Sequence, residues 1–390
     1  MDISVYFDPL DEELIRGNDD YVANQLGTLI LAYNEEGKFP DLETVKIALI
    51  GVKEDRMSIG NAGTAEAPDE IRKYFYHLFQ GPYDVQVADL GNIKRGFEVN
   101  DTYFAVTNVV AELIRNNILP VIIGGSQDIT FAHYRAYEEL GQIINIVTVD
   151  SHFDIGKAER ELNSRSYLSK IILRQPNFLF NYANIGYQTY FADQEAIELM
   201  NRMYFDVFRL GEVRSEMEEV EPIVRNADMI SFDISSIRQS DAPGNCNVSP
   251  NGFYGEEACR ITRYAGISDK TSSIGFYEVN PSSDERGQTS HLTAQMIWYF
   301  IDGYYSRKND FPMKDKNNYI KYLVNLRKHD KEIVFFKSKK SDRWWMEVPC
   351  PTHMSQYERH HLVPCSYSDY QTACNEEMPD RWWQAYQKFS

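Results

Sequence analysis

Downstream of Pro40 the chain alternates between short apolar runs and longer amphipathic stretches. The apolar runs cover residues 45–52, 85–88, 121–123, 143–149, 183–187, 205–210, 229–234 and 274–279, each of strand length. The intervening stretches, 68–78, 102–117, 130–140, 194–203, 213–225 and 289–304, carry apolar residues at helical spacing. Strands that are apolar on both faces and alternate with helices imply a parallel sheet covered by helices. Residues 45–305 are therefore expected to form one α/β body, a three-layer α/β/α sandwich around a mainly parallel sheet of about eight strands. Ala67-Pro68 followed by Asp69 and Glu70 reads as a helix start, with proline in the first turn and acids favoured by the helix dipole.

The flanks differ from the body. Residues 1–44 are acidic, with Leu10, Leu14 and Ile15 and then Leu26, Leu29, Ile30 and Leu31 near helical spacing, which predicts one or two N-terminal helices. Residues 306–390 are basic in places and rich in Trp. The tetrapeptide Asp-Arg-Trp-Trp occurs at 342–345 and again at 380–383. Two copies do not make a solenoid. The Trp pairs are expected to pack this C-terminal extension onto the body or onto a neighbouring subunit, because buried aromatics supply large contact area.

Composition narrows the function classes. Of 390 residues, 43% are hydrophobic and 25% charged, which disfavours disorder. Lys and Arg number 40 against 58 Asp and Glu, a net charge of −18 that repels nucleic-acid phosphates and anionic lipid. No apolar run approaches the roughly 18 residues of a membrane helix. Acidic residues stand where an export signal needs basic ones, so a cytoplasmic protein is expected. Five cysteines (Cys246, Cys259, Cys350, Cys365 and Cys374) are too sparse for a disulfide scaffold and are expected as free thiols.

Polar clusters follow three of the apolar runs directly, where open α/β sheets place their sites. They are Gly124-Gly-Ser-Gln-Asp128, Asp150-Ser-His-Phe-Asp154 and Ser231-Phe-Asp-Ile-Ser235. Asp150, His152 and Asp154 have period-two spacing, so an extended segment would aim all three the same way. Two carboxylates and an imidazole on one face suit a divalent metal. A solvated strand end with a satisfied histidine is the bland alternative for that motif alone.

The ordered set of Gly-Gly-x-x-Asp, Asp-x-His-x-Asp, Ser-x-Asp with Ala242-Pro243-Gly244, and Glu278-Val-Asn-Pro281 resembles the ureohydrolase superfamily of arginases, agmatinases and formimidoylglutamases. The resemblance spans about residues 45–305. Ile50-Gly-Val52, Gly63-Thr64, Ala67-Pro68 and Ile71-Arg72 bring it nearest to the formimidoylglutamase branch. It implies an arginase-like fold, a symmetric homo-oligomer, and two manganese ions sharing a hydroxide that attacks a guanidinium or amidine carbon. Carried over by position, the metal ligands would be Gln127, Asp150, His152, Asp154, Asp233 and Ser235. Asp154 would also accept a proton, and Glu278 would orient the substrate.

The departures from the family pattern matter. The family has His at the Gln127 position and Asp at the Ser235 position, so each metal loses a ligand. Arg238 stands where an acid is expected, and Tyr167 where the family carries a proton-transferring His. The resemblance thus implies manganese binding that is weak or absent, and a pseudoenzyme that acts by binding a ligand or partner. The alternative is an active metal-dependent hydrolase of linear amidine or guanidine C–N bonds. Cys350, His353, His360, His361, Cys365 and Cys374 are zinc-compatible types at poor spacing. His133 reads as a packed histidine, and Gly124-Gly125 as a tight strand-to-helix turn rather than a phosphate cradle.

Overall fold

The computed structural model describes residues 1–11, 13, 21–156, 161–312, 316–327, 331–351 and 357–389. All eight expected strands are present: β3 (Ile47–Val52), β4 (Val87–Ile93), β5 (Leu119–Ile123), β6 (Ile144–Val149), β7 (Leu179–Tyr187), β8 (Asp206–Arg209), β9 (Met229–Asp233) and β10 (Ser273–Tyr277). Two short strands absent from the sequence reading, β1 (Phe7–Asp8) and β2 (Leu31–Ala32), complete a ten-stranded sheet of order β1-β4-β3-β5-β10-β9-β6-β7-β8, with β2 beside β4. Only the β1–β4 pair is antiparallel.

Burial on both faces has a direct signature along β3. Ile47 and Leu49 enter one core with Val121, Ile123, Ile230 and Phe276, while Ala48, Ile50 and Val52 enter the opposite core with Ile122. The first core is covered by helices α2 (Ala67–Phe75), α7 (Leu210–Ser215), α8 (Val220–Arg225), α9 (Gly255–Ile267) and α10 (Gln288–Tyr305). The second lies under α3 (Val99–Arg115) and α4 (Ile129–Glu139). Helices α5 (Tyr167–Ile172) and α6 (Gln194–Arg202) close a third cluster around Tyr134, Tyr137 and Tyr182. The expected helix at 213–225 is two short helices, α7 and α8, joined by a 3-10 turn at Met217–Glu219.

The helical expectation for the N-terminal segment is met in its second apolar stretch by a single turn. That turn is α1 (Leu26–Leu29), and the Leu14–Ile15 part of the pattern lies outside the described residues. The segment's apolar residues also make core contacts: Leu10, Leu26 and Ile30 join the core beside Tyr76.

The C-terminal extension forms its own antiparallel sheet, β11 (Tyr319–Leu326), β12 (Lys331–Ser338), β13 (Trp344–Glu347) and β14 (Leu362–Cys365), followed by α11 (Tyr367–Cys374) and α12 (Asp380–Lys388). It packs on the body of the same chain: the Arg225 guanidinium lies 4.4 Å over the Trp345 ring and donates to the carbonyls of Trp344 and Cys365. The two Asp-Arg-Trp-Trp copies are not a structural repeat, since one begins a strand and the other begins a helix.

Candidate metal centre

The polar clusters converge at the carboxyl ends of β5, β10, β9 and β6, four neighbouring strands at the middle of the sheet. Gly124-Gly125 turns the chain after β5. A Cβ at Gly125 would sit 1.9 Å from the carbonyl oxygen of Glu54, so glycine is required by close backbone approach. That turn delivers Gln127, fully buried, whose backbone N–H donates to Glu278 Oε1 at 2.8 Å. Glu278 follows β10 with φ of +70°, a left-handed conformation that costs a non-glycine residue about 1–3 kcal/mol and is found where surroundings enforce it.

The Asp-x-His-x-Asp motif works differently from the strand reading. β6 ends at Val149, and the motif turns rather than alternating. The His152 N–H donates to Asp150 Oδ1 at 2.8 Å, and Asp154 takes φ of +51°. This turn folds Asp154 back toward Asp150 and Asp233, so that oxygen atoms of all three carboxylates lie within 4.8 Å of one another. His152 is at the margin: its Nδ1 lies 4.0 Å from Asp150 Oδ1, its ring stacks on Phe191 at 4.8 Å, and Nδ1 meets the Ser151 hydroxyl.

Crowded carboxylates resist ionising together. Burial, then Asp154 and Asp233, hold the Asp150 carboxyl well above the usual carboxylate range. Burial and Asp233 push Asp154 up to about 7, and burial pushes Asp233 up to about 6 against hydrogen bonds from Ser235. Burial, helped by Arg165, drops His152 to about 4 and keeps the ring neutral. Glu278 is also held well above its ordinary value, by burial and then by Asp233.

The remaining expected residues fall unequally. Gln127 Nε2 donates to the Ser231 hydroxyl at 2.9 Å, leaving its buried Oε1 without a donor. The Ser235 backbone N–H donates to Asp233 Oδ1 at 2.7 Å. Arg238 does not bring its charge to the centre as expected. It pairs with Asp241 at 2.8 Å and lies 3.8 Å over the Tyr254 ring. The cation felt by Asp154 and Asp233 is Arg165, which the sequence reading passed over although it stands two residues before Tyr167. Tyr167 is near the centre, its hydroxyl 3.5 Å from Gln127 Nε2. The Glu278 carboxylate accepts from Asn61 Nδ2 at 2.7 Å as well as from Gln127, and Asn61 was not anticipated either.

This donor set fits one divalent cation of the oxygen-preferring class. Two buried oxygens, Asp150 Oδ2 and Gln127 Oε1, have no hydrogen-bond donor. Each such buried acceptor costs about 1–3 kcal/mol, and a cation held by the three carboxylates would satisfy Asp150 Oδ2. The zinc-compatible residues whose spacing argued against a site do not gather among the described residues: His353 lies outside them, His360 bonds the Ile143 carbonyl, and His361 bonds the Glu358 carbonyl. Among the described residues the three aspartates are the one such group.

A model of the arginase family matches residues 45–302. The chain belongs to the arginase family. Within that family, formimidoylglutamase from Staphylococcus aureus (strain JH9) is 25% identical over 268 residues, covering 65% of this chain and 85% of that protein. The crystal structure of formimidoylglutamase from Bacillus subtilis superposes with a TM-score of 0.67 at 20% identity, covering 75% of this chain and 96% of that one. That of Trypanosoma cruzi formiminoglutamase with Mn2+ gives 0.65 at 19% identity, covering 73% and 99%. The arginase-family match stops near the end of α10, so the C-terminal sheet and its helices lie beyond it.

Proposed function

We propose that this arginase-family protein holds a single divalent cation of the manganese class on Asp150, Asp154 and Asp233, and is a weak or inactive ureohydrolase homologue that works by binding a small amidine or guanidine ligand, or a partner. The supporting observation is the asymmetry of the donors. Three carboxylates gather within 4.8 Å, whereas Gln127 and Ser235 are neutral. A bound cation would supply Lewis acidity and bring a water's pKa toward neutrality. On the protein side, Asp154 can take a proton and Glu278 can orient a cationic amidine. Tyr167 offers no proton transfer near pH 7, because burial holds its hydroxyl well above its ordinary value.

Elemental analysis and Mn2+ titration, with and without Asp150→Ala, test this reading together with ammonia and urea release from linear amidines and guanidines. One ion per chain, lost in Asp150→Ala, and turnover far below the usual range of about 1–10³ s⁻¹ are expected. Two tightly held ions and turnover within that range would establish the second reading, an active formimidoylglutamase-like hydrolase. That reading is favoured by an Asp154 carboxyl pushed up to about 7, well matched to a general base.

A further inference from the structure

The C-terminal sheet ends in a long open edge. In the order β11-β12-β13-β14, β11 has a neighbour strand on one side only, and its 8 residues exceed the usual five or six of a strand. The register shows which of its backbone groups are left over. The Lys339 N–H donates to the Asn318 carbonyl at 2.9 Å, which extends the β11–β12 ladder by one pair. In an antiparallel ladder such bonded pairs alternate with pairs whose N–H and C=O groups point away. Ile320, Tyr322, Val324 and Leu326 therefore bond β12, while Lys321, Leu323 and Asn325 present their backbone groups to the open edge. The bond from the Ser338 N–H to the Arg343 carbonyl gives the same phase, because it turns the even positions of β12 toward β13 and leaves the odd ones for β11. Among the described residues no further strand pairs with that edge.

The edge is apolar and basic at once. Leu323 is 56% exposed and Ile320 42%. Residues 306–343 hold 12 Lys and Arg against 5 Asp and Glu, on a chain whose net charge is −18. Lys321 stands within the edge, Arg327 follows its far end, and Lys339 and Lys340 flank its start, all exposed. Lys339 and Lys340 donate to the carbonyls of Asn317 and Asn309, which bring no countercharge. An unpaired edge is a template for another strand, and lysines on it select against like-charged chains. A second copy paired edge to edge would set these cations against their own kind.

We infer that the β11 edge docks an extended acidic segment of a partner protein, added as a fifth strand beside Lys321, Leu323 and Asn325. Main-chain hydrogen bonds to these three residues hold the segment, its carboxylates meet Lys321 and the flanking cations, and its apolar side chains cover Ile320 and Leu323. The occupant must be extended, because the outward groups recur at every second residue, about 6.8 Å apart, a spacing that another strand matches. A helix cannot serve, since its backbone groups are already paired within it. The arginase-family match ends at residue 302, so this surface belongs to what the extension adds to the family body. It stands apart from the proposed cation site, on which no step of it depends.

The test titrates the full chain with two fluorescent octapeptides, one alternating Glu and Val and the other alternating Lys and Val, and follows backbone amide exchange by NMR. The acidic peptide should bind and the basic one should not. Exchange should slow at Lys321, Leu323 and Asn325 but not at Tyr322 and Val324, whose N–H groups are already bonded to β12; adsorption by charge alone cannot produce that alternation. Leu323→Pro deletes an outward N–H and leaves the β11–β12 ladder whole, as proline on an edge strand does. It should weaken the acidic peptide about 10-fold, the effect of one lost main-chain bond with its acceptor left unpaired. Lys321→Glu, which does not touch the backbone, should weaken it about 5-fold by setting like charges opposite each other. No binding of the acidic peptide, equal binding of the two, or slowed exchange without the alternation overturns the inference. Self-association of the parent that Leu323→Pro abolishes would overturn it as well, by giving the edge to a second copy.

Discussion

At the scale of single residues, the metal centre stores electrostatic repulsion that its carboxylates cannot relieve among themselves. Asp154 and Asp233 have folded-state pKa values raised from 3.8 to about 7 and about 6. A raised acid contributes stability that is complete below its unfolded pKa and is lost as pH rises through the folded one. The metal-free protein should therefore lose stability from these groups between about pH 4 and 7. His133 and His152, lowered to about 3 and about 4, act oppositely: their contribution is lost as pH falls through 6.5. Comparing parent and Asp154→Asn by thermal unfolding isolates the carboxylate. The variant should match the parent near pH 4 and be increasingly more stable toward pH 7, with saturating Mn2+ reversing the order at neutral pH. Equal pH slopes would contradict it. Asp150, Asp233 and Glu278 were legible because they stand at or next to the ends of apolar runs, and Asp154 through its period-two spacing from Asp150 and His152. The roles of Arg165 and Arg238 were not, because they depend on a turn beyond β6 and on the Tyr254 ring, neither of which local spacing encodes.

Among elements, strands were easier to read than helices. A strand buried on both faces is a plain apolar run, so all eight runs mapped onto β3–β10 within a few residues at each end. Helix α9, Gly-Glu-Glu-Ala-Cys-Arg-Ile-Thr-Arg-Tyr-Ala-Gly-Ile, escaped notice because its contact face includes small residues rather than a leucine stripe. A Cβ on Gly266 would lie 2.1 Å from the Phe300 carbonyl oxygen, and one on Gly303 would lie 2.5 Å from the Arg263 carbonyl oxygen. The two helices thus cross with backbones in near contact, and neither glycine shows the positive φ that would mark a turn. Gly266→Ala must push α9 and α10 apart and should cost at least about 1–3 kcal/mol, the usual range for overpacking. Denaturant unfolding checks this. The adjacent Ala265→Gly, which adds no atoms, serves as control for a general helix effect. An unchanged midpoint in Gly266→Ala would show that the crossing is looser than described.

For the whole molecule, the question is whether the extension beyond the arginase-family match is a separate unit or part of one cooperative structure. Its sheet has its own core, with Leu326, Phe335, Met346 and Trp382 buried together, which on its own would allow independent unfolding. The junction argues the other way. Arg225 on α8, almost fully buried, stacks on Trp345 and donates to two carbonyls of the extension, while its Nε pairs with Glu221 at 2.9 Å. Buried Asp228 receives Arg359 from the extension at 2.6 Å beside Lys270, and Lys388 reaches Asp206 at 3.1 Å. Breaking a buried ion pair on one side costs about 3–5 kcal/mol, because the partner charge is left without compensation. Undocking the extension would strand several such groups at once on β8, α8 and the approach to β9. Body and extension should therefore melt in a single calorimetric transition. Trp345→Ala, which removes a fully buried ring and the platform for Arg225, should cost about 3–5 kcal/mol and lower that transition as a whole. Two resolved transitions in the parent, or a loss in Trp345→Ala confined to the smaller of two, would make the extension an autonomous domain.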